Sequence, residues 1–278
     1  MIIGVGADKG SPGASTLALL LGMCWPTERV LVELDARGSD LAFRCASVGG
    51  RPLAATPSVT TLAIDARPGA TQRAMGDYAQ PTGCAVPLIV GETSPTRFSR
   101  IAPHLPALAG VLAGLPGTVI ADLGSLQPGS PTLTVARAAT VVVLVTSTDV
   151  ASLGHLRDRV EELAVDLGDS FPTRSPLAVV VRAEGGDVAA ARQRVEQLLA
   201  SIGSPTPVVG VLPSEAATVQ AVLAGRVTRR MARGALLTEV LAVTVRLCTG
   251  WPELAAPMLT GFVPAAAGMA VATSGLIR

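Results

Sequence analysis

The sequence predicts an α/β domain: a mostly parallel central sheet with helices on both faces. Three observations carry this. Short apolar runs recur along the chain and mostly do not alternate with polar residues, as strands buried on both faces do not. Between them lie stretches with apolar residues at helical spacing, and strands alternating with helices build parallel sheets through crossover connections. The composition agrees, with 49% hydrophobic, 15% charged and only 3% aromatic residues, as a Val-rich sheet under Ala/Leu-rich helices requires.

In chain order, strands are predicted at Ile2–Val5, Val30–Leu34, Pro87–Val90, Thr118–Ala121, Val141–Val145, Leu177–Val181 and Val208–Val211. The run at Pro87 opens on proline, tolerated at a strand's first residue but not inside it. Helices are predicted at Ser15–Met23, Ser152–Leu167, Val188–Ile202 and Gly234–Cys248. The second carries Leu153, Leu156, Val160 and Leu163 on one face, with Asp149 or Ser152 as its cap. Residues 49–96 are less regular, with one helix predicted around Ala70–Ala79. The expected division is one domain over residues 1–249 followed by an Ala/Gly/Pro-rich apolar tail, 250–278.

The formal net charge is +1, so the whole molecule carries no strong field for nucleic acid. The four cysteines show no CxxC spacing, which argues against a zinc site or a disulfide framework and for reduced thiols in a cytoplasm. His104 and His155 have no metal-spaced partner and are assigned no chemistry. No basic leader precedes the first apolar run, so no signal peptide is expected. Residues 254–277 contain no charge, but Pro257, Gly261, Pro264, Gly268 and Gly275 interrupt them; a spanning helix is not expected there.

The chemistry concentrates between the first strand and the first helix, in Asp8-Lys9-Gly10-Ser11-Pro12-Gly13-Ala14-Ser15-Thr16. A glycine-rich loop leading into a helix N-terminus binds anions because free backbone N–H groups point inward and the helix dipole adds positive charge. A Ser or Thr at the helix start supplies a hydroxyl for Mg²⁺. The usual GxxxxGK[ST] pattern fails here at two positions: Asp8 stands at its first glycine and Ala14 at its lysine.

The loop resembles instead the deviant Walker A, KGGxGK[ST]T, of the MinD/ParA family of P-loop ATPases. Lys9 occupies the signature lysine, Gly10, Gly13, Ser15 and Thr16 match, Ser11 replaces a glycine, and Ala14 replaces the P-loop lysine. Lys9 is also the only lysine in the chain; every other basic residue is Arg, so a compact ammonium is selected here against the chain's habit. Further landmarks follow in family order. Glu33-Leu34-Asp35 resembles switch I, whose second acid, Asp35, the resemblance makes the residue that orients attacking water. Thr118–Gly124 resembles Walker B and switch II, with Asp122 holding Mg²⁺ through water and Gly124 supplying a backbone N–H near the γ-phosphate. Arg182, after its strand, and Pro213, after the last strand, match the base-proximal positions. The resemblance covers residues 1–249 and is weakest over 49–95.

The resemblance implies ATP and Mg²⁺ as cofactors. It makes Lys9 and Asp35 the catalytic residues. Lys9, Gly10, Ser11, Gly13, Ala14, Ser15, Thr16, Gly124, Arg182 and Pro213 form the nucleotide site, and Ser15 and Asp122 the metal site. It also implies a homodimer bridged by ATP, because the signature lysine reaches the partner's phosphates in this family. Losing the P-loop lysine removes a charge-assisted hydrogen bond of about 1.5–3 kcal/mol, roughly a 10- to 150-fold loss of affinity, and more in the transition state. The expected protein is an ATP-gated dimerisation switch for positioning or partitioning a partner, with weak or absent hydrolysis. Pilus-assembly localisation proteins of the TadZ/CpaE type, which tolerate atypical phosphate loops, are a sub-type that the resemblance suggests. A pseudo-ATPase scaffold that binds no nucleotide is the alternative. A DNA-associated partition protein is another, through the basic cluster Arg226, Arg229, Arg230 and Arg233. A membrane partner is not expected, since the tail has only Arg278 where an amphipathic anchor needs a basic face.

Overall fold

Every predicted strand forms, because each is a run of β-branched or aliphatic residues that two neighbouring strands and two helical layers bury together. The computed structural model describes residues 1–8, 13–71, 73–168, 175–183 and 187–258. Its strands are β1 (Ile2–Ala7), β2 (Arg29–Glu33), β3 (Gln80–Pro81), β4 (Pro87–Ile89), β5 (Thr118–Ser125), β6 (Val141–Thr146), β7 (Leu177–Arg182) and β8 (Val208–Leu212). They form one sheet in the order β3-β4-β2-β5-β1-β6-β7-β8. All pairings are parallel except β3 with β4. Proline opens β4 and does not interrupt it.

Successive residues of each strand feed opposite faces, and two apolar layers result. On one face lie Val30, Val32, Val119, Ala121, Val142, Leu144, Val179 and Val181. On the other lie Ile3, Val5, Leu31, Ile120, Val141, Val143, Ala178 and Val180. Helices α1 (Ala14–Cys24), α2 (Leu41–Arg44), α3 (Val59–Asp65), α4 (Pro95–Ile101), α5 (Leu105–Gly114), α6 (Leu133–Arg137), α7 (Val150–Gly168), α8 (Val188–Ser201), α9 (Ala216–Leu223), α10 (Arg229–Ala232) and α11 (Ala235–Gly250) cover them. Helices α3 to α8 pack on the first layer, and α1, α9 and α11 on the second. Trp251 and Leu254 also join the second layer, so the chain still packs just beyond residue 249.

The helix predicted around residues 70–79 does not form. The segment has a short 3-10 turn, Met75–Asp77, and then β3. Tyr78 explains this: its hydroxyl accepts the Arg73 N–H at 3.0 Å and donates to Asp65 at 3.0 Å, so the Arg73 amide goes to a side chain rather than to a helical carbonyl. The helix of this region lies earlier. Ser58 and Thr61 form a reciprocal capping box that starts α3. Asp149 caps α7, accepting from the Ser152 N–H at 3.0 Å. The hydroxyls of Ser147 and Ser152 hold its carboxyl well below the usual carboxylate range. No helix among the described residues is long and apolar enough to cross a membrane.

Candidate nucleotide site at the carboxyl edge of the sheet

Open parallel sheets place ligands at the carboxyl ends of their strands, where the strand order reverses. Here β1 lies between β5 and β6, and the chain leaves β1 directly into the loop that starts α1. Asp122 sits opposite Glu33 of β2 and Val5 of β1 and is 1% exposed. Burial pushes its carboxyl up to about 6, against the Ser15 hydroxyl and the Gly124 N–H, which favour the charged form. That N–H reaches Asp122 Oδ1 at 3.1 Å. The predicted metal pair, Ser15 and Asp122, is therefore brought together by α1 and β5.

Asp35 joins them through Gly124. Gly124 has φ +60°, and a Cβ there would fall 2.2 Å from Asp35 Cγ. Only glycine permits both this backbone and this approach. The Asp35 carboxylate accepts the Arg37 N–H at 2.9 Å, and burial raises it above the ordinary range. The predicted water-orienting acid thus lies against the predicted switch II glycine.

At the helix start, Gly13 takes φ +106° and precedes α1, the left-handed turn that lets a loop swing into a helix. Ser15 and Thr16 stand half-buried in the first turn. Ala14 is 1% exposed and belongs to the apolar layer. The position of the family's P-loop lysine is therefore filled by a methyl group facing the core. Lys9, Gly10 and Ser11 lie outside the described residues. Arg182 and Pro213 make a separate group at the same edge: Arg182 ends β7 opposite Leu212, and Pro213 follows β8.

Two features escape a reading of the sequence. The first is Glu33, which is fully buried. Its carboxylate accepts the N–H of Leu41 at 2.8 Å and of Gly91 at 3.1 Å. It therefore fixes where the Asp35 loop returns to α2. Burial pushes it up to about 7, and Asp122 and Asp40 add to the rise. The second is Asp8, at the loop's entry. Arg159 Nε donates to Asp8 Oδ1 at 2.8 Å, His155 Nδ1 lies 3.2 Å from Oδ2, and the Ser125 hydroxyl donates to its carbonyl at 2.5 Å. Arg159 is itself buried and also meets Glu162 at 2.7 Å. His155, to which spacing assigns no chemistry, so helps tie α7 to the loop. The i, i+4 pairing of His155 with Arg159 was visible in the sequence; its target, Asp8, was not.

These residues fit Mg²⁺ and a phosphate chain in part. Ser15, Asp122 and the Gly124 N–H are the donor types such a group needs. The missing cation at Ala14 is the misfit.

No family model matches the sequence, and no curated protein matches it; solved structures do. A ParA family ATPase from Chlorobium tepidum TLS superposes with TM-score 0.69 at 14% identity, over 88% of this chain and 98% of that one. The septum site-determining protein MinD from Pyrococcus horikoshii OT3, complexed with Mg-ADP, gives 0.63 at 16%, over 88% and 95%. Apo McdA from Cyanthece gives 0.63 at 15%, over 88% and 98%. The chain has the fold of the ParA/MinD ATPases.

Proposed function

We propose that this chain is an ATP-gated dimerisation switch that positions or partitions a partner, with hydrolysis slow or absent. The observation that carries this is the convergence of Ser15, Asp122, Gly124 and Asp35 beside an α1 whose lysine position is a buried methyl. Bound Mg²⁺ supplies charge neutralisation for the phosphates. Ser15 and Asp122 are the residues to hold it. The N–H groups at the start of α1 bind phosphate oxygens, the Gly124 N–H orients the Asp122 carboxylate that it donates to, and Asp35 orients a water. Without the P-loop lysine, charge that develops on a leaving oxygen loses the cation that its own protomer would supply, so turnover suffers more than binding. Lys9 is assigned to the partner protomer's phosphates, which makes the bound nucleotide part of the dimer contact. The Mg-ADP complex of the Pyrococcus horikoshii relative and the MinC:MinD complex from Aquifex aeolicus support a nucleotide and a protein partner by analogy of fold.

The test measures ATP affinity and turnover for the wild type beside Ala14→Lys, with sedimentation in the presence and absence of ATP and Mg²⁺. The expected result is weak binding, dimerisation with nucleotide and near-zero turnover in the wild type, with turnover rising in Ala14→Lys. A wild type that neither binds ATP by thermal shift nor changes its sedimentation is a scaffold, and the proposal then fails.

A further inference from the structure

Two runs of sequence free of acidic residues meet on one side of the molecule. Residues 41–64 contain Arg44 and Arg51 and no Asp or Glu; residues 216–238 contain Arg226, Arg229, Arg230 and Arg233 and again none. The backbone joins the runs. The Ala46 N–H donates to the Leu223 carbonyl at 2.8 Å. Gly83, whose N–H donates to the Ala46 carbonyl at 2.8 Å, abuts Gly225, where an added Cβ would fall 2.7 Å from the Gly83 Cα. All six arginines are exposed, and none forms an ion pair among the described residues. The chain's formal net charge is only +1, so the remainder is net negative and the patch is a concentrated exception.

The same segment exposes two large apolar side chains beside its arginines. Phe43, next to Arg44, is 74% exposed, and Val48 is 72% exposed. Val48 sits in a tight turn closed by the Gly50 N–H on the Ser47 carbonyl and the Ser47 N–H on the Arg51 carbonyl, both at 2.8 Å. Duplex phosphates engage the arginines alone and leave Phe43 and Val48 in water. An anionic bilayer uses both: headgroups take the guanidinium groups, and the headgroup–acyl boundary takes the apolar side chains. We propose that this face, Arg44, Arg51, Arg226, Arg229, Arg230 and Arg233 with the exposed Phe43 and Val48 of the same segment as Arg44 and Arg51, docks peripherally on an anionic lipid surface. None of these residues is among those proposed above to hold nucleotide or metal, and the test below is made without nucleotide, so its failure and that of the switch are distinguishable.

The test is co-sedimentation of the full chain, without nucleotide, with vesicles of mixed phosphatidylglycerol and phosphatidylcholine, against pure phosphatidylcholine and against a random-sequence DNA duplex. The expected result is salt-sensitive binding to the anionic vesicles, none to the neutral ones, and weaker binding to DNA. Replacing Arg226, Arg229, Arg230 and Arg233 together by Ala lowers vesicle partitioning by about a thousandfold, at roughly five- to sixfold per arginine. Phe43→Ser with Val48→Ser lowers it by about tenfold, since only part of each side chain is buried at the boundary. Four results overturn the proposal. One is no binding to anionic vesicles. Another is equal or tighter binding to the duplex, or vesicle binding unmoved by the Phe43→Ser/Val48→Ser pair, either of which marks a generic polyanion surface. The last is a change in the free protein's sedimentation on that double substitution, which assigns the two side chains to an interface between copies.

Discussion

The carboxyl edge between β2 and β5 and the arginine face beside α2 are neighbours with opposite electrostatics and opposite burial. At the edge, Glu33 and Asp122 are 0% and 1% exposed, and burial raises both carboxyls. On the face, six arginines stand in solvent. Helix α2 is the boundary: Glu33 holds its first residue, and Arg44, at its end, lowers the Asp122 carboxyl through space. Buried charges set the shape of the site and are costly to disturb; exposed ones are free to meet a ligand and contribute little to folding.

That contrast is broken most severely at Gly124. Gly124→Ala places a methyl on the Asp35 carboxylate in a left-handed backbone. A loss of about 3–4 kcal/mol in chemical denaturation is expected. Adding Asp35→Gly removes the Cγ, Oδ1 and Cβ atoms that the methyl meets, so the double variant loses less than the sum of the singles. A single variant as stable as the wild type removes the link between the Asp35 and Gly124 segments.

Glu33 sharpens the contrast through pH. Its folded value of about 7 lies above the ordinary 4.5. Between those values the native chain keeps a proton that the unfolded chain has released. Stability is therefore fully present below about pH 4.5 and falls as pH rises through about 7, by about 3 kcal/mol. Asp122, raised from 3.8 to about 6, adds a slope of the same sign. Urea midpoints across this range decline with pH in the wild type, and Glu33→Gln removes about half of the decline, the rest belonging to Asp122. An unchanged slope in that variant assigns it elsewhere.

Arg159→Met tests the other buried charge. It leaves Asp8 with His155 and the Ser125 hydroxyl alone, and a loss of about 2 kcal/mol is expected. Faster amide exchange around residue 8 should accompany it. At the small end, Arg229→Ala with Arg230→Ala should shift stability by no more than about 0.5 kcal/mol. A larger loss there means that the face is built into the fold.

The strands were legible because burial on both faces leaves a run that no other element requires, as in Val141–Val145. The long helices were legible from their 3.6-residue spacing, as in Leu156, Val160, Leu163 and Leu167 on α7. Helix α5 was not: Leu105–Gly114 contains Pro106, Gly110 and Gly114, and its stability comes from Leu105, Leu108 and Leu112 in the core rather than from propensity. The segment at 70–79 misled because Ala and Arg favour helix locally, whereas the Tyr78 hydroxyl decides the outcome. Within the site, Asp35, Asp122 and Gly124 were legible from their order behind the loop. The ties of Asp8 to Arg159 and of Glu33 to Gly91 span 151 and 58 residues, and only folding brings such partners together.

Glu33 also has a mechanical consequence. One carboxylate is bolted to both Leu41 and Gly91, and Ser39 N–H reaches the Glu92 carbonyl at 2.8 Å. The Glu92 carboxylate in turn takes the Thr60 hydroxyl at 2.5 Å, in the first turn of α3. The loop carrying Asp35 is thus not a free arm but one bar of a linkage with three joints. A pull on it must either stretch these bonds or carry the end of β4 and the start of α3 along, so its compliance is set by one glutamate seated in the core.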